Sequence, residues 1–461
     1  MSPSEQAVAA GELPLSQDEA EHAAGAILDI AGADGVEVVV AASRSGVTRF
    51  ANSQIIQNTV RSELRAYVRI AVGQKLASAT TNQLDAAHMQ KAANQALEAA
   101  RASREDPDFP GLPEAREFGS APALMRYDAL TAVATPAQRA DAVAAILRAT
   151  EGASAAGVFE TSSHAYALLS STGMRCYDAF TRGVMTCLAD NGDATGWGED
   201  SSHALADVDY EEGARRALDK AQEGRGAIDM DPGTYRVVLE PPAVAMLIDY
   251  LSYAGFGAKQ VLEGESFLEA LAGQQVADPA VTIADDVAYP GSVGIGFDFE
   301  GVPRRRVAVI DKGVATGPVS DTRTARKLGG ATTGHFSGSD EFGPYAGNVV
   351  LEAGDRSDEE LLGSVDDGLL VTRFHYVNVL DRPETLLTGM TRDGTFRIRK
   401  GERAEPVHNF RFTQSVLKAL ASVEGIGRDL RAFAPEFGSF GSTVAPSLAV
   451  GEFRFTSRTS H

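Results

Sequence analysis

Two long segments with strand-type composition, residues 55–72 and 173–188, constrain the fold of this 461-residue chain more than any other feature. In the first segment apolar side chains recur at every second position through Leu64, Ala66, Val68 and Ile70, as in a strand with one buried face. Each segment lies between helical patterns, so the order helix, long strands, helix occurs twice before residue 230. The sequence therefore predicts an internal duplication built on long antiparallel strands.

Helix signals and the later part of the chain define the fold class. Asp85 is a good N-cap for a helix over residues 86–102, and Asp209 with Glu212 has the pattern of a capping box. After Gly291 short strands and helices follow without regular βαβ alternation, which favours the α+β class. We expect an N-terminal lobe of helices and long antiparallel strands and a β-rich, mixed C-terminal lobe. The predicted domains are residues 1–125, 126–230 and 231–461.

The composition limits the kinds of molecule that this protein is expected to bind. The formal net charge of −21 repels phosphate backbones and anionic lipids, so we expect neither nucleic acid nor membrane binding. The first basic residue is Arg44, and no apolar run approaches the ~20 residues that span a bilayer. A cytoplasmic location is therefore expected. Cys176 and Cys187 are too few for a disulfide framework and are predicted to be reduced thiols.

Short motifs occur in a defined order from about residue 36 to the C-terminus. No single motif is decisive, but their order and spacing together resemble the TldD/PmbA family, which is also known as the modulator of DNA gyrase family. The motifs are RFANSQIIQN at 49–58, DD at 285–286 followed by GS at 291–292, EGVP at 300–303, DTRTA at 321–325 and PSL at 446–448.

The resemblance implies a two-lobed subunit that pairs into a dimer around an enclosed cavity. In the catalytic type of the family, a helix carries His-Glu-x-x-x-His and a later cysteine completes a zinc site, with the glutamate as general base. The second type lacks these ligands and serves as the partner. Together the two types resemble a peptidase that trims unfolded or modified peptides.

The segment that matches the motif helix reads DYLSYA at residues 249–254. None of the eight histidines is followed by glutamate, and no cysteine lies beyond Cys187. The resemblance therefore implies the TldE/PmbA type, a non-catalytic, substrate-guiding subunit without a cofactor of its own. Zinc is expected in a TldD-like partner that carries His-Glu-x-x-x-His, and the shared substrate is a peptide.

Three side chains are candidates for substrate binding. His335 lies in the glycine-rich stretch 334–338, and such loops often line sites. His375 is a second candidate, and Arg305, in the basic run 304–306, could clamp a substrate carboxylate. Arg305 could equally belong to a solvated turn or an intersubunit salt bridge. His335, His375 and His408 could instead gather with Asp285, Asp286 or Asp298 in a divergent metal site.

The long strands suggest how a peptide could be held. An exposed strand edge pairs with an extended peptide through main-chain hydrogen bonds, with little side-chain selectivity. The edges of segments 55–72 and 173–188 could also be paired internally. Two other functions stay open at this point. They are a self-sufficient homodimeric peptidase or hydrolase with an atypical site, and a protein that regulates DNA gyrase by protein binding.

Overall fold

The computed structural model describes residues 13–118, 123–437 and 440–459, which form two lobes. The helices are α1 Gln17–Gly25, α2 Ala86–Ala102, α3 Ala115–Phe118, α4 Ala129–Ala132, α5 Pro136–Ala149, α6 Tyr210–Glu223, α7 Pro241–Gly255, α8 Ala258–Leu262, α9 Phe267–Leu271, α10 Thr322–Leu328, α11 Asp358–Gly363 and α12 Val416–Ala421. The strands are β1 Gly35–Ala51, β2 Gln54–Val72, β3 Lys75–Thr81, β4 Ser154–Ser170, β5 Arg175–Asp190, β6 Thr195–Ser202, β7 Gly233–Leu239, β8 Ile283–Asp285, β9 Val307–Asp311, β10 Val314–Ala315, β11 Asn348–Leu351, β12 Asp367–Asp381, β13 Leu386–Arg399, β14 Glu402–Pro406, β15 Phe410–Ser415, β16 Val423–Ile426, β17 Arg431–Phe433, β18 Ser442–Ala445 and β19 Leu448–Arg458.

The N-terminal lobe is built on one six-stranded antiparallel sheet. Its strand order is β3-β2-β1-β4-β5-β6, so each of the two predicted halves contributes three strands and the order is mirrored about the β1–β4 seam. That seam runs from Glu37 opposite Ser170 to Phe50 opposite Gly157. The mirrored order matches the repeated helix-strand-helix pattern of the sequence.

Helices cover one face of this sheet. Val36, Val38 and Val40 of β1 are buried there against α1 and α2, while α5 and α6 cover the half formed by β4 to β6. The predicted cap of α2 is confirmed. Its Asp85 side chain accepts hydrogen bonds from the backbone N–H groups of the first turn.

The capping box predicted for α6 is only half formed. The Asp209 side chain accepts from the Glu212 N–H, as expected. The Glu212 carboxylate, however, pairs with Arg215 one turn further along the helix instead of returning to the cap. An ion pair between neighbouring turns has replaced the second half of the motif.

The opposite face of the sheet carries the C-terminal lobe. Alternation along the strands turns Val39, Leu168 and Phe180 to this face, where they pack against Val293, Ile295 and Phe297. Met174 and Cys176 belong to the same buried apolar contact between the lobes. Trp197 of β6 lies against Arg373 of the C-terminal lobe, and the Glu199 carbonyl accepts from Arg431. Along β1 and β2 part of the same face stays open and forms a cleft.

The C-terminal lobe contains two sheets. One is mixed, with the order β10-β9-β8-β11-β18-β17. In the other sheet the strand order is β12-β7-β19-β15-β13, and β12 also pairs with β13, so these five strands close into a ring. Two further strands extend it, β14 beside β13 and β16 beside β19. Stacked and tilted aromatic rings fill its interior, and they belong to Phe374, Phe410, Phe412, Phe453 and Phe455. With both lobes described, the predicted α+β class is confirmed.

The residue patterns predict strands over 369–373 and 376–380, a helix over 413–422 and a linker over 106–125, and the structure differs from each of these. The predicted strands 369–373 and 376–380 form the single strand β12, which continues through a bulge at Tyr376, where φ is +50°. The helix predicted over 413–422 begins only at Val416, because β15 extends to Ser415 and that residue caps the helix. The predicted linker 106–125 contains the short helix α3.

The two cysteines are buried on β5, and neither forms a disulfide. Burial raises the pKa of Cys187 to about 12, so this thiol stays protonated. Within the described ranges, no helix combines the length and the apolar character needed to cross a bilayer.

Candidate functional site

A cleft of about 840 Å³ separates the uncovered face of the N-terminal sheet from the C-terminal lobe. Strands β1 and β2 form its floor, and His164 and Tyr166 of β4 extend that floor. Phe299, Phe440 and the loop 336–339 form the wall contributed by the C-terminal lobe. Its volume is large enough to hold several residues of an extended peptide.

Charged side chains alternate along the part of β2 that faces the cleft. Arg61, Glu63, Arg65, Tyr67 and Arg69 all line the cleft, since every second residue of a strand shares one face. Arg61 pairs with Glu63 in solvent, and Arg65 donates to the Tyr67 hydroxyl at 3.3 Å. Three guanidinium groups on one strand stand out in a chain of net charge −21.

The inner end of the cleft holds a cross-strand ion pair. Glu37 of β1 lies directly opposite Arg69 of β2, with Oε1 3.2 Å from Nη1. The Arg69 guanidinium also lies over the Phe336 ring of the C-terminal lobe, 5.1 Å from its centroid. Burial raises the pKa of Glu37 more than Arg69 lowers it. Next to this pair, burial and Asp298 raise the pKa of Glu300 to about 8.

His164 is the imidazole on the floor of the cleft. Burial and the nearby Arg182 lower its pKa to about 4, so the ring is neutral under physiological conditions. It stacks on Phe180 with the ring centroids 4.6 Å apart. This ring can therefore offer a hydrogen bond or an aromatic surface to a ligand, and no charge.

Part of the β2 edge has no strand partner among the described residues. β3 pairs with β2 only between Ala66 and Val72, so the outer edge from Gln54 to residue 65 stays open. Two isoleucines lie on this open stretch, and Ile56 is 65 % exposed. An open edge with exposed β-branched residues is a template for an added strand.

Helix α7 occupies the position at which the catalytic type of the family, by the resemblance, carries its zinc ligands. Its Asp249 is buried, which raises the pKa to about 6, and Oδ2 accepts from the Glu436 N–H at 2.7 Å. The Tyr250 hydroxyl donates to the Val377 carbonyl at 2.7 Å. These polar groups already have protein partners within the lobe.

Zinc does not fit these side chains. A catalytic zinc needs about three protein ligands from histidine, cysteine or carboxylate. Here one turn of α7 offers the single carboxylate of Asp249, and Ala254 ends the matching segment. The Tyr253 ring of the same segment stacks on Phe437, with the ring centroids 4.3 Å apart, so an aromatic pair stands beside Asp249 instead of a metal ligand. Across the described residues, no three histidine, cysteine or acidic side chains are grouped to hold a metal ion.

A second cavity, of about 540 Å³, lies between α7 and β12. Trp197, Tyr250 and His375 line it, together with Glu436 at its rim. Burial, and then the charges of two neighbouring arginines, lower the pKa of His375. The bulge at Tyr376 leaves that side chain 70 % exposed beside the cavity.

Two family models match this chain. The PmbA/TldA metallopeptidase C-terminal domain matches residues 232–457, and the PmbA/TldA metallopeptidase domain 1 matches residues 36–100. Together these ranges include both lobes and more than half of the chain. The chain belongs to the PmbA/TldD family. The family resemblance predicted from the motifs is confirmed.

Curated relatives of the PmbA/TldD family match part of the chain. A metalloprotease of Methanothermobacter thermautotrophicus is 30 % identical over 225 residues, which cover 48 % of this chain and 49 % of the relative. A metalloprotease of Synechocystis sp. is 29 % identical over 235 residues, 47 % of each chain. The chain thus spans about half the length of the curated relatives it matches.

Solved structures agree with the fold over nearly the whole chain. The crystal structure of TldE from Thermococcus kodakarensis superposes with a TM-score of 0.82 at 20 % identity, covering 95 % of this chain and 99 % of that one. A protein named for modulation of a DNA gyrase from Thermotoga maritima gives a TM-score of 0.80 at 20 % identity, covering 92 % and 96 %. At this identity the likeness shows the fold alone.

The three candidate residues lie at two separate places in this PmbA/TldD fold. His335 is fully buried, with Nε2 2.9 Å from Asp285 Oδ1 and Nδ1 2.9 Å from Thr333 Oγ1. Arg305 is exposed, and its backbone N–H donates to the Thr333 carbonyl, so Arg305 and His335 meet at Thr333. His375 lines the second cavity instead. Substrate binding by these residues stays a prediction, and none of the three lines the large cleft.

Sequence reasoning missed the residues of the cleft. Glu37 was the one with a visible signal, because it interrupts the apolar run GVEVVVAA at 35–42. A lone carboxylate in a buried strand needs a partner, and its presence marks the position for closer study. Arg69 and Tyr166 have no comparable signal, since alternation along a solvated strand face explains them equally well.

Proposed function

We propose that this chain is the non-catalytic, substrate-guiding subunit of a TldD/TldE-type zinc peptidase complex that acts on unfolded or modified peptides. The observation that carries the proposal is the chemistry of α7. Where the resemblance implies imidazole ligands, this helix has Asp249 and Ala254, and the carboxylate is already bonded to the Glu436 N–H. The hydrolytic zinc would then be held by a TldD-like partner that carries His-Glu-x-x-x-His.

The guiding role rests on the cleft and the open edge of β2. Unfolded peptides share a backbone and no common side chains, so a subunit that accepts them needs main-chain recognition. The open stretch of β2 has no neighbouring strand among the described residues and lies beside the arginine-bearing face. The aromatic side chains Tyr166, Phe299 and Phe440 add apolar surface without strong selectivity for one residue type.

Reconstitution tests the proposal. The purified chain is mixed with its cognate catalytic subunit, and cleavage of an unfolded peptide is compared with that by the catalytic subunit alone. We expect a large gain in cleavage on mixing, with zinc found in the partner. Equal activity without this chain would reject the subunit role.

Metal analysis of the isolated chain tests the zinc argument separately. We expect no stoichiometric zinc after purification and no change in thermal stability on addition of a chelator. One tightly held zinc per chain, lost on substitution of His335 or His375, would support a self-sufficient enzyme with an atypical site instead.

A further inference from the structure

The Glu37–Arg69 pair at the inner end of the cleft is incompletely satisfied. Glu37 is 1 % exposed, and neither of its carboxylate oxygens has a hydrogen-bond partner among the described residues. The same holds for Nε and Nη1 of Arg69, because the 3.2 Å approach lacks hydrogen-bond geometry. Buried polar atoms without hydrogen-bond partners destabilise the protein. A ligand that supplies donors to Glu37 and an acceptor to Arg69 would remove this penalty and bind more tightly for that reason.

The charges around this pair favour an added cation. Four carboxyl groups act on Arg69, in the order Glu37, Glu300, Asp340 and Asp298. Arg323 pairs with Asp340 at 3.6 Å and Arg304 acts on Asp298, so Glu37 has Arg69 as its nearest cation. The next guanidinium, Arg304, approaches Asp285. Burial, and then the charge of Asp298, raise the pKa of Glu300, and a second cation beside Glu37 would offset part of the negative charge near this pair.

The partners of the other acids leave Glu37 as the group available to a ligand. Asp298 accepts from the backbone N–H groups of Glu300, Val302 and Phe336. Glu300 accepts from the N–H and the hydroxyl of Thr322. Glu37 alone among these acids both lines the cleft and has unpaired oxygens.

We infer that the inner end of the cleft binds the primary ammonium group of a peptide, with Glu37 as acceptor and Arg69 as donor to the adjacent carbonyl. An ammonium group supplies three N–H donors, and the carbonyl of the same residue supplies the acceptor that the guanidinium needs. The described acids are not grouped to hold a metal ion, so the cation is an amine. This inference rests on the proposed function, because it assumes that the cleft receives peptides.

Binding measurements on the full chain test the inference. The probe is a short peptide of alanine, serine and glycine with a C-terminal fluorophore, followed by fluorescence anisotropy. We expect N-terminal acetylation to weaken its binding by about tenfold, the value of one hydrogen bond to a charged group. An acetylated peptide with one internal lysine distinguishes the α-ammonium from a lysine ammonium, since only the second source would restore binding.

Variants assign the effect to Glu37. Glu37→Gln keeps the shape of the side chain, and we expect it to weaken the free-amine peptide by about tenfold and to leave the acetylated peptide unchanged. Glu160→Gln is the matched control, because Glu160 is a partly buried carboxylate near Arg182 on β4 and does not line the cleft. We expect it to leave both peptides unchanged.

The wild-type comparison needs no variant, so the inference stays testable if Glu37→Gln does not fold. Equal binding of free and acetylated peptides would overturn the ammonium site and leave peptide binding by the cleft intact. Equal loss with Glu37→Gln and Glu160→Gln would also overturn it. If no peptide binds and the chain adds nothing to its partner's activity, the proposed function itself fails.

Discussion

His335 Nε2 lies 2.9 Å from Asp285 Oδ1, and both side chains are buried. Oδ2 of the same carboxylate accepts from the Asn348 N–H at 2.8 Å, which joins β8 to β11. The His335 backbone N–H donates to the Ser320 carbonyl. The pair therefore fixes the glycine-rich loop 334–338, which is part of the cleft wall, to the mixed sheet of the C-terminal lobe.

Replacing Asp285 by Asn should lower the free energy of unfolding by about 3 kcal/mol at neutral pH, because the buried imidazole and Arg304 lose their charged partner. Urea unfolding measures the change. Burial raises the pKa of Asp285, but the attraction of His335 and Arg304 outweighs it, so the folded pKa lies below the ordinary value. The difference between variant and wild type should therefore shrink as the pH falls below about 4.

The exposed His88–Asp85 pair provides the control for this variant. Asp85→Asn retains an equally good N-cap for α2, and solvent screens the charge that is lost. Little change in stability is expected. If Asp85→Asn and Asp285→Asn behaved alike, the buried pair would not have the structural role described.

Glu300→Gln should change how stability depends on pH. The folded pKa of Glu300 is raised to about 8 by burial and by Asp298, so its proton is held in the folded state and released in the unfolded state. The contribution of Glu300 to the free energy of unfolding is therefore fully present below its unfolded pKa near 4.5. That contribution is lost as the pH rises to the folded pKa of about 8. The variant should lack this decrease. Parallel stability curves for the two proteins between these limits would contradict the assignment.

Gly198→Ala should destabilise the N-terminal lobe by about 2 kcal/mol. A Cβ at this position of β6 would overlap the carbonyl oxygen of Gly213 in α6, and backbone cannot move aside as a side-chain tip can. Thermal unfolding measures the loss. Gly25→Ala, at the exposed end of α1, meets nothing within 4 Å and should be neutral or slightly stabilising.

Ile56→Lys should leave the free energy of unfolding nearly unchanged, because the side chain is 65 % exposed. Peptide cleavage by the reconstituted complex should fall several-fold, since a lysine on an open edge disfavours strand addition. Leu130→Lys, at a 72 % exposed position on α4, is the matched control for a new surface charge. An equal fall with both variants would show that the edge has no special role.

Local patterns predicted the elements that depend on nearby residues. The span of α2 and its cap at Asp85 were both correct, since a capping side chain bonds within its own first turn. The end of α10 has a local signal of the same kind, because glycine readily adopts the φ of +70° found at Gly329. The closure of the C-terminal ring was not predictable, because the β12–β13 pairing depends on packing and not on a local signal.

The Glu37–Arg69 pair shows why the site was harder to predict than the elements. Asn52 and Ser53 form a tight hairpin turn with positive φ at both residues, and Ala51 pairs with Gln54 across it. Counting back from that turn would place Glu37 opposite residue 68. A bulge between Arg49 and Phe50 shifts the register by one residue, which brings Arg69 opposite Glu37 and turns both to the cleft.

The seam between β1 and β4 has a consequence for synthesis on the ribosome. When the first 125 residues have emerged, β1 has β2 on one side and nothing on the other, since its second neighbour ends at Ser170. Until β4 is translated, the backbone groups along the second edge of the valine-rich strand β1 lack their partners. Chaperone demand during translation should accordingly peak before β4 is complete, and a ribosomal pause in that interval should reduce the yield of folded subunit.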